Sequence, residues 1–317
     1  MAKSEFQPSR RYVDMWALPG IHVSNIEVLQ KLKSADSKHF NTHMDVVGTV
    51  SEQDVESGDW DQTHMVGLRT DIWSADEKEM QDTLKLMQRQ RRRTLKSKIK
   101  KSGRLNEKQR AKLNEQLATD QIMNTQAGDI EARRMVLKLF KTTSNRVRWC
   151  GTIEQVTTTE IQHSIGSNRA LLSMAVMLPR TQIVTHVQQN HRTWRIPAVF
   201  SAGFYHDERM WHLILRRRWL SLGADFDIEI DGEQIGDVDG RVVSFGSDSF
   251  INLGNHLLAG NTHFMNLLTL FTASVGYHKA MRRSVRQRVD AAFSGNAHLH
   301  PIDDDELRLR HNGRAAA

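Results

Sequence analysis

The plainest pattern in the chain is a strict alternation at Phe226, Ile228 and Ile230, with Asp227, Glu229 and Asp231 between them. A period of two with one apolar and one acidic face predicts a half-buried strand. Asp231-Gly232 follows, and a glycine that accepts positive φ suits a tight hairpin. The chain then predicts a return over Glu233 to Val238, a turn at Asp239-Gly240, a strand from Arg241 to Phe245, a turn at Gly246-Ser247 and a strand from Phe250 to Leu253. Upstream, Val147 to Val156, Ala170 to Met177, Thr181 to Gln188, Arg195 to Phe204 and Met210 to Leu220 are rich in Val, Ile, Thr and aromatic residues between short breaks, and predict further strands.

The period then changes. Leu257, Leu258, Phe264, Met265, Leu267, Leu268, Leu270, Phe271 and Val275 cover nearly every side of a helix, and a helix apolar all round is a buried one. Lys279, Arg282, Arg283, Arg286 and Arg288 continue it as a basic end, placed to oppose the negative end of the helix dipole. The expected fold is α+β: an antiparallel barrel or strongly curved meander packed on one apolar helix at about 256–288.

From residue 75 to 141 the pattern is helical and polar. No Pro or Gly interrupts Ser74 through Lys101, and Leu84, Met87, Leu95 and Ile99 form only a thin apolar stripe. Ser102-Gly103 breaks that helix, Asn106 can cap a second through about Leu117, and a third is expected from about Asp129 to Lys141. Residues 75–141 therefore read as a basic helical insertion. Residues 1–74 read as an N-terminal segment with strands at Met44 to Val50 and Met65 to Trp73 and a short helix at Ile26 to Leu32. Residues 146–293 read as the barrel with its helix, and 294–317 as a polar tail.

Charge changes the picture. The chain of 317 residues carries +7, but residues 85–112 hold thirteen Lys and Arg against Glu107 alone. That segment is +12 and the rest of the chain −5. A run so one-sided repels itself and favours an anionic partner. Arg216 and Arg218 share one face of their strand, where they meet either phosphate or the acidic strand beside them. The candidate polyanion-binding residues are Lys85, Arg89, Arg91, Arg92, Arg93, Lys96, Lys98, Lys100, Lys101, Arg216, Arg218, Arg282, Arg283 and Arg286.

Catalytic and metal chemistry find little purchase. The single cysteine, Cys150, excludes an internal disulfide and a Cys-based zinc site, and it reads as a buried thiol on a strand. His298 and His300 ahead of Asp303 to Glu306 form the one dense ligand cluster, and it reads as a solvated tail. Phosphate-loop, dinucleotide, HExxH and GxSxG patterns are absent. No catalytic residue, metal or cofactor is assigned, and an enzymatic role has the least support. The stretch Phe264 to Tyr277 is too short for a membrane span of roughly 20 residues. The expected location is cytoplasmic, with a peripheral membrane position as an option.

The stretch Leu213 to Phe250 resembles the LURP-one-related family of the tubby-like superfamily. The likeness lies in a basic-aromatic strand, Ser221-Leu222-Gly223, a strand ending in Asp231-Gly232, a valine-rich return to Asp239-Gly240 and a strand ending Ser244-Phe245-Gly246. The resemblance implies a twelve-stranded antiparallel barrel around a hydrophobic helix. It carries over no catalytic residues; tubby-type members bind phosphoinositides and scramblase-like members act at membranes. The functional expectation is a non-enzymatic binding or scaffold protein that engages anionic phospholipid or nucleic acid through its basic helix. The alternative is a structural subunit of a viral or ribonucleoprotein assembly, homo-oligomeric or docked on a partner through that helix.

Overall fold

The computed structural model describes residues 8–16, 44–69, 89, 92–93, 96–97, 107–119, 134–143, 147–167, 169–191, 197–219, 225–243, 246–254 and 256–293. Twelve strands follow the chain as an antiparallel meander: β1 Ser9–Trp16, β2 Met44–Gln53, β3 Trp60–Arg69, β4 Val136–Thr142, β5 Val147–Gln155, β6 Ser173–Met177, β7 Thr185–Gln189, β8 Val199–His206, β9 Arg209–Arg217, β10 Phe226–Ile230, β11 Glu233–Val243 and β12 Gly246–Leu253. Each pairs with its neighbours in sequence, and β1 pairs with both β2 and β12, which closes the barrel. Closure leaves no sheet edge exposed to pair with another chain.

Among the described residues, four α-helices of defined bounds accompany the strands: α1 Glu107–Thr119, α2 Thr157–Ser164, α3 Thr262–Val275 and α4 His278–Phe293, with a 3-10 turn at Leu257–Gly260 before α3. Asn261 caps α3, its side-chain oxygen accepting from the Phe264 amide at 2.9 Å. Helix α3 fills the barrel, and every residue from Phe264 to Ser274 is buried. Phe271 packs edge-on against Phe200 and Phe226 at centroid distances of 5.1 and 5.3 Å, and Phe264 lies 5.2 Å from Phe204. Fully burying one such side chain contributes about 1.5–3 kcal/mol. The wall must come close to the helix at Gly151, where an added Cβ would lie 2.9 Å from Leu270 Cδ1 and 3.0 Å from Leu178 Cδ2.

The helix carries polar side chains into this core, and most are tied down. Arg11, only 3% exposed, donates to Asn266 Oδ1 at 2.9 Å and Thr269 Oγ1 at 3.0 Å, and pairs with Glu52 at 2.5 Å. Asn266 donates in turn to the Cys150 carbonyl at 3.2 Å. One arginine therefore couples β1, β2 and α3. A second buried network anchors α2: Glu160 accepts from Gln155 Nε2 at 2.6 Å and from the Ser173 amide at 3.1 Å.

Several expectations from the sequence need correction. The helix expected at Asp129 to Lys141 is, from Val136 onward, strand β4, paired with β3 and β5 on its two sides. A short apolar run such as VLKLF fits either period, and two waiting strands decide it. The barrel does not begin at residue 146: β1 to β4 belong to it, so residues 1–74 contribute three strands to the barrel. Asp239-Gly240 is no turn, because β11 runs through it and stays in register with β12 from Gly236↔Leu253 to Val243↔Gly246. The apolar helix is two helices, broken at Gly276-Tyr277 where α3 leaves the barrel. The expected turn at Asp231-Gly232 is present, with φ of 50° and 89°. The predicted helix from Asn106 corresponds to α1, with Leu113 buried. The expected helix at Ile26 to Leu32, most of 75–101 and the tail 294–317 lie outside the described residues.

Candidate basic site at the mouth of the barrel

The break at Gly276-Tyr277 relocates charge. On one continuous helix, Lys279, Arg282 and Arg283 would sit near the C-terminus and offset its dipole. In the fold they occupy the first two turns of α4, where the helix end is itself positive. The fold stacks positive charge here rather than cancelling it.

These side chains surround a cavity of about 800 Å³ at the end of the barrel where α3 emerges. Arg217 from the end of β9 joins Lys279, Arg282, Arg283 and Arg286 along its lining. Ser247 and Ser249 of β12 and Thr272 of α3 add hydroxyls, while Ala198, Phe226 and Val275 give an apolar floor. Among the described residues no carboxylate lines it. A neighbouring hollow of about 450 Å³ shares Ala198, Arg217, Arg282 and Arg286 with the first and adds Arg169, Arg218 and Trp219. Trp219 is 72% exposed. The larger volume falls within the range of small-molecule sites.

The electrostatics follow from this crowding. Burial, and then the like charges of Arg217 and Arg286, hold the Arg282 guanidinium below its ordinary pKa. Its described hydrogen bond is to Gln189 Oε1 at 3.3 Å. His278, buried beside Phe200 and Phe271, is pushed well down by burial and by Arg282 and Arg217, so its imidazole stays neutral. Ser274 Oγ lies 3.2 Å from His278 Nε2. Among the described residues, Lys279, Arg283 and Arg286 have no ion pair or hydrogen bond through their side chains.

The other candidate residues fare differently. Arg282, Arg283 and Arg286 come together at this mouth. Arg216 and Arg218 do not act as free cations: Arg216 grips both oxygens of Glu229 at 2.8 and 3.1 Å, and Arg218 reaches Asp227 at 2.7 Å and Asp237 at 3.1 Å. Those hydrogen bonds raise both guanidinium pKa values. The cross-strand register puts Arg216 opposite Asp227 and Phe226 opposite Arg217, so the acidic face of β10 neutralises the basic face of β9. Arg89, Arg92, Arg93 and Lys96 are helical and exposed, and they line neither hollow. Lys85, Arg91, Lys98, Lys100 and Lys101 lie outside the described residues. Sequence reasoning left out Arg217, Ser249, Thr272 and Arg169; the alternation that turns Arg217 away from Arg216 and Arg218 was its one available signal.

Cys150 is buried, its thiol pushed up by burial, and its contact is the Arg148 carbonyl at 3.5 Å. Among the described residues no group of three His, Cys, Asp or Glu could hold a metal, and no helix is long and apolar enough to cross a membrane. No family model, no curated protein and no solved structure matches the chain.

Proposed function

We propose that this chain is a non-enzymatic binding protein that engages anionic phospholipid at the mouth of its barrel. The observation that carries the reading is the ring of Arg217, Lys279, Arg282, Arg283 and Arg286 around a hollow lined, among the described residues, by no carboxylate. Guanidinium forks suit phosphate oxygens, and each cation near an anionic leaflet adds about 1 kcal/mol. Trp219 favours lipid as the partner, since an exposed indole beside cations suits a membrane–water interface. The basic run at 85–112, read as a helical insertion between β3 and β4, would add a second contact to the same surface. The tubby-like relationship belongs to this proposal; twelve strands closed around a helix that follows them agree with what the resemblance implies.

The test is co-sedimentation with phosphatidylcholine vesicles, with and without anionic lipid, beside labelled RNA at low and high salt. Arg282→Glu/Arg286→Glu and Arg89→Ala/Arg92→Ala/Arg93→Ala variants run in parallel. Binding to anionic vesicles that the first variant abolishes supports the reading. Binding lost only in the second moves the site to the 85–112 run, and preference for RNA replaces the lipid.

A further inference from the structure

Helix α3 brings four polar side chains into the barrel between Phe264 and Val275, and three of them have partners. Asn266 accepts from Arg11 and donates to the Cys150 carbonyl, Thr269 donates to the Met265 carbonyl at 2.6 Å, and Ser274 donates to the Phe271 carbonyl at 2.6 Å. Thr272 is the exception. It is 4% exposed, its hydroxyl has no hydrogen-bond partner, and it lines the basic hollow. A buried hydroxyl without a partner keeps the cost of leaving water without a bond to offset it. Ser249, also buried, lines the same hollow from the opposing strand β12. Arg282 lines the same hollow, partly buried, with two like charges for neighbours and one long hydrogen bond to an amide.

Such a set asks for a compact group with several acceptor oxygens and more than one negative charge. A surface polyanion satisfies Lys279, Arg283 and Arg286 but does not reach Thr272. A phosphate diester offers two free oxygens and one charge. A terminal phosphate monoester offers three acceptor oxygens and a charge of about −1.5 to −2 at pH 7.

We infer that the mouth of the barrel takes one terminal phosphate monoester end-on, its oxygens held by the Arg282 guanidinium and the Thr272 and Ser249 hydroxyls, with Lys279, Arg283 and Arg286 at the rim. The inference rests on the mouth being the anion site and adds depth and selectivity to it. The carrier is either a lipid head group or a soluble phosphorylated molecule, since both present the same chemistry.

The experiment measures binding of the full chain to methyl phosphate and dimethyl phosphate, and to phosphatidylcholine vesicles doped with phosphatidic acid or with phosphatidylglycerol. The expected result is at least tenfold tighter binding of the monoester in whichever pair binds. Methyl phosphate binding as tightly as phosphatidic acid assigns a soluble carrier, and binding confined to phosphatidic acid assigns a membrane one. Thr272→Val, which keeps the shape and removes the hydroxyl, should weaken the monoester three- to tenfold and leave the diester unchanged; Ser249→Ala should do the same more weakly. Arg216→Gln is the control without effect. Equal affinity for monoester and diester on the unaltered chain overturns the inference while leaving an anion site at the mouth, and that comparison needs no variant to fold. Monoester selectivity undiminished in both Thr272→Val and Ser249→Ala also overturns it. No binding of any of the four probes removes both the inference and the reading beneath it.

Discussion

The outer wall of the barrel and its mouth use the same residue type to opposite ends. On the wall, Arg216 and Arg218 meet Glu229, Asp227 and Asp237 across the strands, and the charge is spent within the fold. At the mouth, Arg217 of the same strand joins Lys279, Arg282, Arg283 and Arg286 of α4 around a hollow that, among the described residues, no carboxylate lines. Paired cations stabilise structure weakly; cations gathered without acids leave a site that an outside anion can complete. A count of basic residues along a chain cannot separate the two, because the separation depends on what the neighbouring strand offers.

Changing arginines in each setting sharpens the contrast. The largest effect is expected in a third place, the core, where Arg11→Ala would leave Glu52, Asn266 and Thr269 facing a void. Leaving buried polar groups without their partners costs about 1–3 kcal/mol, and chemical denaturation would read that loss. If stability falls by less than 1 kcal/mol, Arg11 does not tie α3 to the wall.

Putting an acid into the mouth should separate stability from binding. Lys279→Glu places a carboxylate in the first turn of α4 and four residues before Arg283, which favours the helix by about 0.3–1 kcal/mol. The same change should weaken binding to anionic vesicles about tenfold. A variant that is both more stable and equally good at binding would argue that the rim cations are ornamental.

Acid should probe a buried base. Burial and then Arg11 push the His64 imidazole down to about 3, so the folded form keeps it neutral while the unfolded chain protonates it near 6.5. The unfolded state then binds more protons, and this contribution is full above pH 6.5 and is lost progressively as pH falls from 6.5 toward 3. His64→Gln should make the unfolding free energy less dependent on pH between 6.5 and 4; an unchanged slope would contradict that environment. The smallest effect belongs to the wall: Arg216→Gln, half exposed and screened, should cost about 0–1 kcal/mol and leave anion binding untouched.

What was legible beforehand divides along physical lines. The alternation at Phe226 to Ile230 and the all-round apolar surface of Phe264 to Val275 are local signals, and both elements form where expected. Strand β4 was misread because VLKLF carries no period of its own and takes its form from β3 and β5. The DG pair at 239–240 failed for the same reason: an uninterrupted ladder with β12 outweighs a turn preference. Closure through β1 pairing with β12 is a contact across more than two hundred residues, which no short window contains. The site was half visible. Arg282, Arg283 and Arg286 were named from their charge, but Thr272 and Ser249 enter only because the barrel ends beside α4, and Gly276-Tyr277 alone hinted that the helix would break there.

One comparison tests the central claim most directly: quantitative vesicle binding of two double variants that remove the same charge, Arg282→Gln/Arg286→Gln at the mouth and Arg209→Gln/Arg216→Gln on the wall, where Arg209 meets Asp231 at 2.6 Å and Arg216 meets Glu229 at 2.8 Å. The account predicts that the mouth variant loses at least tenfold in affinity for anionic vesicles while the wall variant stays within twofold of the unaltered chain. Equal losses in the two would mean that net charge alone drives binding, and would contradict a site at the mouth.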